Sequence, residues 1–430
     1  MKNIVIGSGP AGRLAALELG KLGEEALLIE KNHIAGTCLN EGCMVICALT
    51  DITRFIETNN RFNSYGFLKS QIDISYDKIV EKIQETQVKL RKLNELENES
   101  VNNQIIYGKA SIHDNEIHVN GGSYNYDKLL ISTGARPYIP DMPGNQYGLT
   151  NKDILKIDEI PDKLNIIGSG FIACEIANIY SKLGSEVTIF SRHSFLKNID
   201  EDIKKYILKY LISGVTLKEN VNVLKIKKNV AITDVGEFEG STFFAVGRLP
   251  NSEIAEGFID LNTDSTIKVN EFLESSKKNV YAAGDVIGGY QMTPIARMEG
   301  IAAARNMAGF LNKIDYKCIP QSISLNMDVS YVNDEKIENK DLKEISYPAI
   351  AGPNSFWNIL TGDTGLSKIS FDSEENKIGN ISAISPSSVS DVAYLSYLMR
   401  IGADLDDFEN FIEIHPSTDT NYKIIKSMWL

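Results

Sequence analysis

NIVIGSGPAGRLAALELGKLGEEALLIEK (3–31) and NIIGSGFIACEIANIYSKLGSEVTIFSR (165–192) read as two copies of one unit. In each, a short β-branched run meets G-x-G. An apolar stripe at helical spacing follows, then an LG stop and a second apolar strand. The expected structure is strand, tight turn, helix, strand. Gly7, Gly9 and Gly12 in the first copy, and Gly168 and Gly170 in the second, allow close backbone approach. The unpaired N–H groups and dipole of the helix that follows favour an anion there. One such fingerprint is a weak signal. Two in full context within one chain predict two dinucleotide sites.

Working outward, SYDKIVEKIQETQVKLRKLNELENES (75–100) has the periodicity of a long amphipathic helix, and short strands lead from it to YDKLLISTGARP (126–137). FFAVGRLPN (243–251) and VYAAGDV (280–286) read as further strands, the latter ending at Asp285. TPIARMEGIAAARNMAG (293–309) carries helix signals at both ends: Thr293 as cap, Pro294 at the first position and Gly309 at the stop. From about residue 315 the texture changes to strands and a helix near 386–401, ending in FIEIHPSTDTNYK, without a nucleotide fingerprint.

The 430 residues are 43% hydrophobic and 23% charged, an ordinary globular composition, with net charge −13. That balance argues against a nucleic-acid partner, which needs a basic face. There is no run of the ~18 apolar residues that a membrane span needs, and the N-terminus goes straight into a strand pattern. The expectation is a soluble, cytoplasmic protein with neither membrane nor nucleic acid as partner.

Three of the five cysteines fall in GTCLNEGCMVICAL (36–49): Cys38, Cys43 and Cys47. In such a compartment clustered thiols are more often catalytic or metal-binding than structural. A zinc site with His33, Cys38, Cys43 and Cys47 is one alternative, although C-x2-C spacing is absent. A redox pair is the other. Residues five apart on an ideal helix are ~8.6 Å apart, too far for a disulfide. Cys38 and Cys43 can therefore meet only if the backbone breaks between them, where Asn40 and Gly42 allow it.

Taken together, GSGPAG with Glu30, GTCLNEGC, STGARP, GSGFIACE, AVGRLPN, AAGDV with TPIARMEG, and a C-terminal HP resemble the FAD-dependent pyridine nucleotide–disulfide oxidoreductases. That family includes dihydrolipoamide dehydrogenase, glutathione reductase and mercuric reductase. The resemblance covers essentially the whole chain. It implies an α/β fold with two Rossmann-like domains and a C-terminal α+β interface domain. Residues 1–146 with 265–314 would bind FAD, 147–264 NAD(P)H, and 315–430 would form a homodimer. It further implies that Gly7, Gly9 and Gly12 hold the FAD pyrophosphate, Glu30 the adenosine ribose and Asp285 the ribityl chain. Thr37, Gly134 and the Thr293 helix would complete the flavin site; Gly168, Gly170, Glu175 and Gly247 would serve the nicotinamide side. Cys38–Cys43 would be the redox disulfide, with Cys43 a thiolate against the flavin and Cys38 attacking the substrate. His415 of the partner subunit would carry the proton. The substrate would be a small or lipoyl-type disulfide.

The repeat also separates the two cofactors. Aligned on the first glycine, Glu30 falls on Ser191, followed by Arg192. A carboxylate accepts from a ribose hydroxyl and repels a 2′-phosphate, whereas an arginine does the reverse. With Lys197 nearby and Ala173 at the third glycine, the expectation is NADPH in preference to NADH.

Two positions depart from the resemblance. Where the family places a lysine beside the flavin this chain has Cys47, leaving Glu175 without its usual partner. The glutamate expected five residues after His415 is Thr420, with Asp419 one short. These departures leave open a flavoprotein with another electron acceptor, or a redox-inactive binding protein on the same scaffold.

Overall fold

The computed structural model describes residues 2–334, 342–372, 374, 376–408, 411–418 and 420–427. The two sequence repeats become two parallel sheets with the same internal plan. In the first, Asn3–Ile6 lies between Ala26–Glu30 and Lys128–Ile131, with Gln104–Tyr107 and Val280–Ala282 at the edges. In the second, Lys163–Ile167 lies between Glu186–Ser191 and Ser241–Phe244, with Thr216–Glu219 and Gly148–Leu149 outside. Every pairing within these two sheets is parallel. Their central strands are continuous apolar runs because both faces are covered: helices pack on one, and on the other lies a three-stranded antiparallel sheet (residues 111–125 in the first unit, 223–239 in the second).

Helices α1 (Pro10–Lys21), α2 (Gly36–Asn40), α3 (Cys43–Ser64) and α4 (Tyr76–Glu99) follow the first glycine turn. Helix α5 (Phe171–Leu183) follows the second, and α6 (Glu201–Tyr206) lies beyond the strand that ends at Ser191. Helix α7 (Thr293–Met307) returns to pack along α1. The contact is nearly backbone to backbone: a Cβ on Gly300 would meet the Ala11 carbonyl at 2.1 Å. Small residues on both helices (Ala11, Ala15, Ala302, Ala303) make that approach possible.

The C-terminal part is an antiparallel sheet, in the order Gln321–Ile323, Asp328–Asn333, Lys377–Ser385, Leu366–Asp372 and Lys343–Pro348. Helix α8 (Ser388–Ile401) packs on it through Val392, Leu395 and Met399. One apolar core unites α3 (Val45, Leu49), α5 (Ile176, Ile179) and this sheet (Ile323, Val329). The cysteine-bearing helix is thereby wedged between the second nucleotide unit and the C-terminal sheet. Arg54 of α3 reinforces the wedge: its guanidinium donates to the Leu325 carbonyl at 2.9 and 2.7 Å and pairs with Asp328 at 2.6 Å.

Candidate active site

The cysteines meet because the backbone breaks where glycine allows it. Helix α2 stops at Asn40; Glu41 and Gly42 are non-helical, with φ −142° and −132°; and α3 starts at Cys43. The Asn40 amide caps the short helix by donating to the carbonyls of Ile34 and Gly36 at 3.0 and 2.8 Å. Cys38 and Cys43 are free thiols on either side of that break, close enough to act on each other's ionisation.

Hydrogen bonding by the Cys43 thiol is the main reason Cys38 is pulled down to about 6; burial opposes it, while the Thr293 hydroxyl and Arg297 assist. The same bond, with burial, pushes Cys43 up. Both shifts favour charge on Cys38, the residue expected to attack. One proton shared by two close sulfurs can rest on either. Thr293 Oγ1, in the first turn of α7, is 3.7 Å from Cys43 Sγ, and no side chain caps the helix N-terminus.

Cys47 lies one turn along α3 from Cys43, and both retain exposed surface, so Cys47 is not a small buried packing residue. Partial burial, then the charges of Cys43 and Glu175, push its thiol up. Glu175 lies on α5, and its carboxylate accepts the Ser324 N–H at 2.9 Å. No cation pairs with it among the described residues. Burial pushes it up to about 7, and the nearby Cys43 and Asp328 add to the effect. His33 is exposed, and no metal-holding cluster of His, Cys, Asp or Glu occurs among the described residues.

The first glycine turn is a built anion cradle. Gly7 has φ +97°, and a Cβ there would lie 2.3 Å from the Ser132 carbonyl; one on Gly12 would lie 1.9 Å from the Gly7 carbonyl. Gly9, by contrast, faces open space within 4 Å and precedes α1, whose first-turn N–H groups no side chain caps. Glu30 ends its strand buried, its carboxylate accepting from Ser8 N and Oγ (2.9 and 2.7 Å) and Asn32 N (2.8 Å). Gly36 brings α2, with Thr37, against Gly9: a Cβ there would be 2.8 Å from Gly9 Cα. Gly134 (φ +69°) accepts the Asn251 N–H at 2.9 Å. Asp285 is engaged by Arg248, whose Nη1 is 2.5 Å away. Sequence reasoning quoted Arg248 inside AVGRLPN but gave it no role.

The second turn differs in its surroundings. Gly168 (φ +136°) is forced by the Ala245 carbonyl, 2.1 Å from a would-be Cβ, while Gly170 and Gly247 face open space. Ser191 is buried, and its hydroxyl donates to the His193 carbonyl, closing a local turn that leaves Arg192 exposed. Lys197 is exposed as well, and neither cation is in an ion pair among the described residues. Buried Ala173 takes the third-glycine position.

His415 is exposed, joined to Pro416 by a cis peptide bond, and makes no hydrogen bond among the described residues. Thr420 is buried and occupied elsewhere, accepting the Ile350 N–H at 3.0 Å. Asp419 lies outside the described residues.

A family model described as pyridine nucleotide-disulphide oxidoreductase matches residues 1–300. The chain belongs to this family. It is an FAD-dependent enzyme of the oxidoreductase class, working between NAD(P)H and a disulfide. The chain is 31% identical to an uncharacterized protein of Methanocaldococcus jannaschii, over 99% of this chain and 98% of that one. It is 28% identical to the dihydrolipoyl dehydrogenase of Buchnera aphidicola, over 99% and 95%. Its fold matches the HOCl-induced flavoprotein disulfide reductase RclA from Escherichia coli at a TM-score of 0.88, with 24% identity and full coverage of both chains. The cradle fits FAD: open space at Gly9, uncapped N–H groups on α1, and a fixed carboxylate at Glu30 are what a ribose–pyrophosphate requires. No helix among the described residues is long and apolar enough to cross a membrane.

Proposed function

We propose that the chain is an NADPH-preferring disulfide reductase that works through Cys38 and Cys43 on a small or lipoyl-type disulfide, NADH being the poorer donor. The observation that carries this reading is the pair of free thiols at the α2–α3 break, with Cys43 Sγ 3.7 Å from Thr293 Oγ1 at the uncapped start of α7. Residues 1–146 with 265–314 would hold FAD, 147–264 the nicotinamide cofactor, and 315–430 the dimer contact. FAD, when bound, carries two electrons from the nicotinamide to the cysteine pair. Gly7, Gly9, Gly12, Glu30, Thr37, Gly134, Asp285 and Thr293 would bind it. Gly168, Gly170, Glu175, Arg192, Lys197 and Gly247 would serve NADPH.

In the forward direction the Cys38 thiolate attacks one substrate sulfur, forming a mixed disulfide and releasing the first thiol. Cys43 then attacks Cys38 Sγ, releasing the second thiol and leaving the Cys38–Cys43 disulfide. The imidazole of His415 of the partner subunit would protonate the leaving thiolate. A homodimer is supported by exposed apolar side chains on the C-terminal part: Ile412 (86% exposed) and Ile414 (83%) just before His415, and Tyr397 and Ile401 on α8.

A non-disulfide acceptor is the second reading. It is favoured by Thr420, which cannot orient His415 as a carboxylate would. Thiol counting separates the two. Of the five cysteines the oxidised enzyme should show three titratable thiols after unfolding, and five after anaerobic NADPH reduction. NADPH should then drive disulfide turnover that Cys38→Ser abolishes. An unchanged thiol count with rapid NADPH oxidation would favour the other acceptor.

A further inference from the structure

Two arginines converge on the Cys38 side of the dithiol. Arg297 lies one turn along α7 from Thr293, on the same helix face, and Thr293 Oγ1 is 3.7 Å from Cys43 Sγ. Arg13 lies in the first turns of α1. The backbone contact between Ala11 and Gly300 brings those two helical stretches together, and Gly36 sets the Cys38 helix α2 against Gly9 at the start of α1, so Arg13 and Arg297 stand on adjoining helices beside the cysteine pair.

Their surroundings do not neutralise them. Arg297 is exposed, with no hydrogen bond or ion pair among the described residues. Arg13 pairs through Nη1 with Glu97 at 2.6 Å, but its Nε is buried without a partner. Glu97 is itself half-exposed, which weakens its hold on Arg13. A buried N–H left unpaired costs free energy, and so does holding like charges together. In a chain of net charge −13 this local positive excess runs against the overall balance.

We infer that Arg13 and Arg297 form an anion-binding mouth over Cys38, selecting disulfides that carry a carboxylate or phosphate close to the sulfur–sulfur bond. This rests on the reading of Cys38 as the attacking thiol. An anion at the mouth relieves the repulsion between the guanidiniums. It also places the substrate sulfur over Cys38. A neutral lipoamide-type disulfide gains none of this, and a cationic one is repelled.

The test uses the FAD-loaded enzyme at pH 8.5, above the value of about 6 for Cys38, so that variants do not differ in thiolate content. Kcat/KM is measured for 3,3′-dithiodipropionate and its neutral bis-amide, and for bis-phosphorylated 2,2′-dithiodiethanol and its neutral diol. The expected anion-to-neutral ratio is about 10 or more for at least one pair, the scale of a charge-assisted contact, falling with added salt. The pair with the larger ratio identifies carboxylate or phosphate as the recognised group. Arg297→Met should reduce the ratio severalfold and Arg297→Lys should keep most of it; Arg297 is exposed, so both variants should fold. A ratio unchanged in Arg297→Met, including loss of bound FAD without a change in ratio, would overturn the inference. Bis-amide turnover that depends on Cys38 would meanwhile leave the disulfide-reductase reading standing. Loss of Cys38-dependent turnover on every substrate would overturn both.

Discussion

Glu175 Oε1 accepts the backbone N–H of Ser324 at 2.9 Å, and this hydrogen bond ties the nucleotide-unit helix α5 to the C-terminal sheet. The carboxylate has no cation to match and rises from 4.5 to about 7, chiefly through burial. A raised carboxylate means the folded chain holds the proton more tightly than the unfolded one. Its stabilising contribution is complete below about 4.5 and is lost as pH climbs through 7. Glu175→Gln keeps an oxygen for Ser324 and removes the titration. Its Tm should match the parent near pH 5 and exceed it by roughly 2–4 °C at pH 8.5, checked by calorimetry. An equal difference at both pH values would count against a buried, titrating Glu175.

Cys47 belongs to the same electrostatic neighbourhood, facing Glu175 and Cys43 from α3. Cys47→Lys should supply the missing cation, return Glu175 to an ionised state at neutral pH and stabilise negative charge on a reduced flavin. The flavin midpoint potential should rise and reduction by NADPH should become faster by stopped flow. Adding Glu175→Gln should change the effect if lysine and glutamate pair. An unmoved potential would show that Cys47 does not border the flavin.

Because Cys38 is brought down to about 6, reoxidation of the dithiol by a disulfide should accelerate from pH 5 to 7 and level off above it. Thr293→Val removes one of the hydrogen bonds that lower Cys38 and should move the midpoint towards higher pH. The measurement is a pH series of single-turnover rates with a neutral disulfide. A midpoint that stays put in Thr293→Val would assign the low value to Cys43 and Arg297 alone.

Arg192 is presented to solvent by the Ser191–His193 turn. Arg192→Glu should shift the kcat/KM ratio of NADPH to NADH towards NADH by roughly 10- to 100-fold, since it deletes one charge-assisted contact and adds repulsion. An unaltered ratio would remove Arg192 from nucleotide recognition.

His415→Ala should slow disulfide turnover by about 100-fold or more while leaving flavin reduction by NADPH nearly untouched, as loss of a general acid–base predicts. Sedimentation should show a dimer in both forms. A fully active monomer would refute the assignment of the proton to His415 of the partner subunit.

Local pattern was enough to place both βαβ units, because strand and helix periodicities and glycine stops are written within about 30 residues of each other. The break between Cys38 and Cys43 was legible for the same reason: Asn40 and Gly42 are neighbours in sequence as well as in space. So was the contrast between Glu30 and Ser191–Arg192, which follows from aligning one repeat on the other. What tertiary structure alone decided is how distant charges meet. Asp285 finds Arg248 across 37 residues, and Glu175 finds Ser324 across 149. Arg13 and Arg297 share the Cys38 mouth only because Gly300 lets α7 lie against the Ala11 carbonyl. Electrostatic interaction depends on separation through space and on the burial of each group. Neither is encoded in a residue's immediate neighbours, so the chain's arginines look alike until packing assigns each its surroundings.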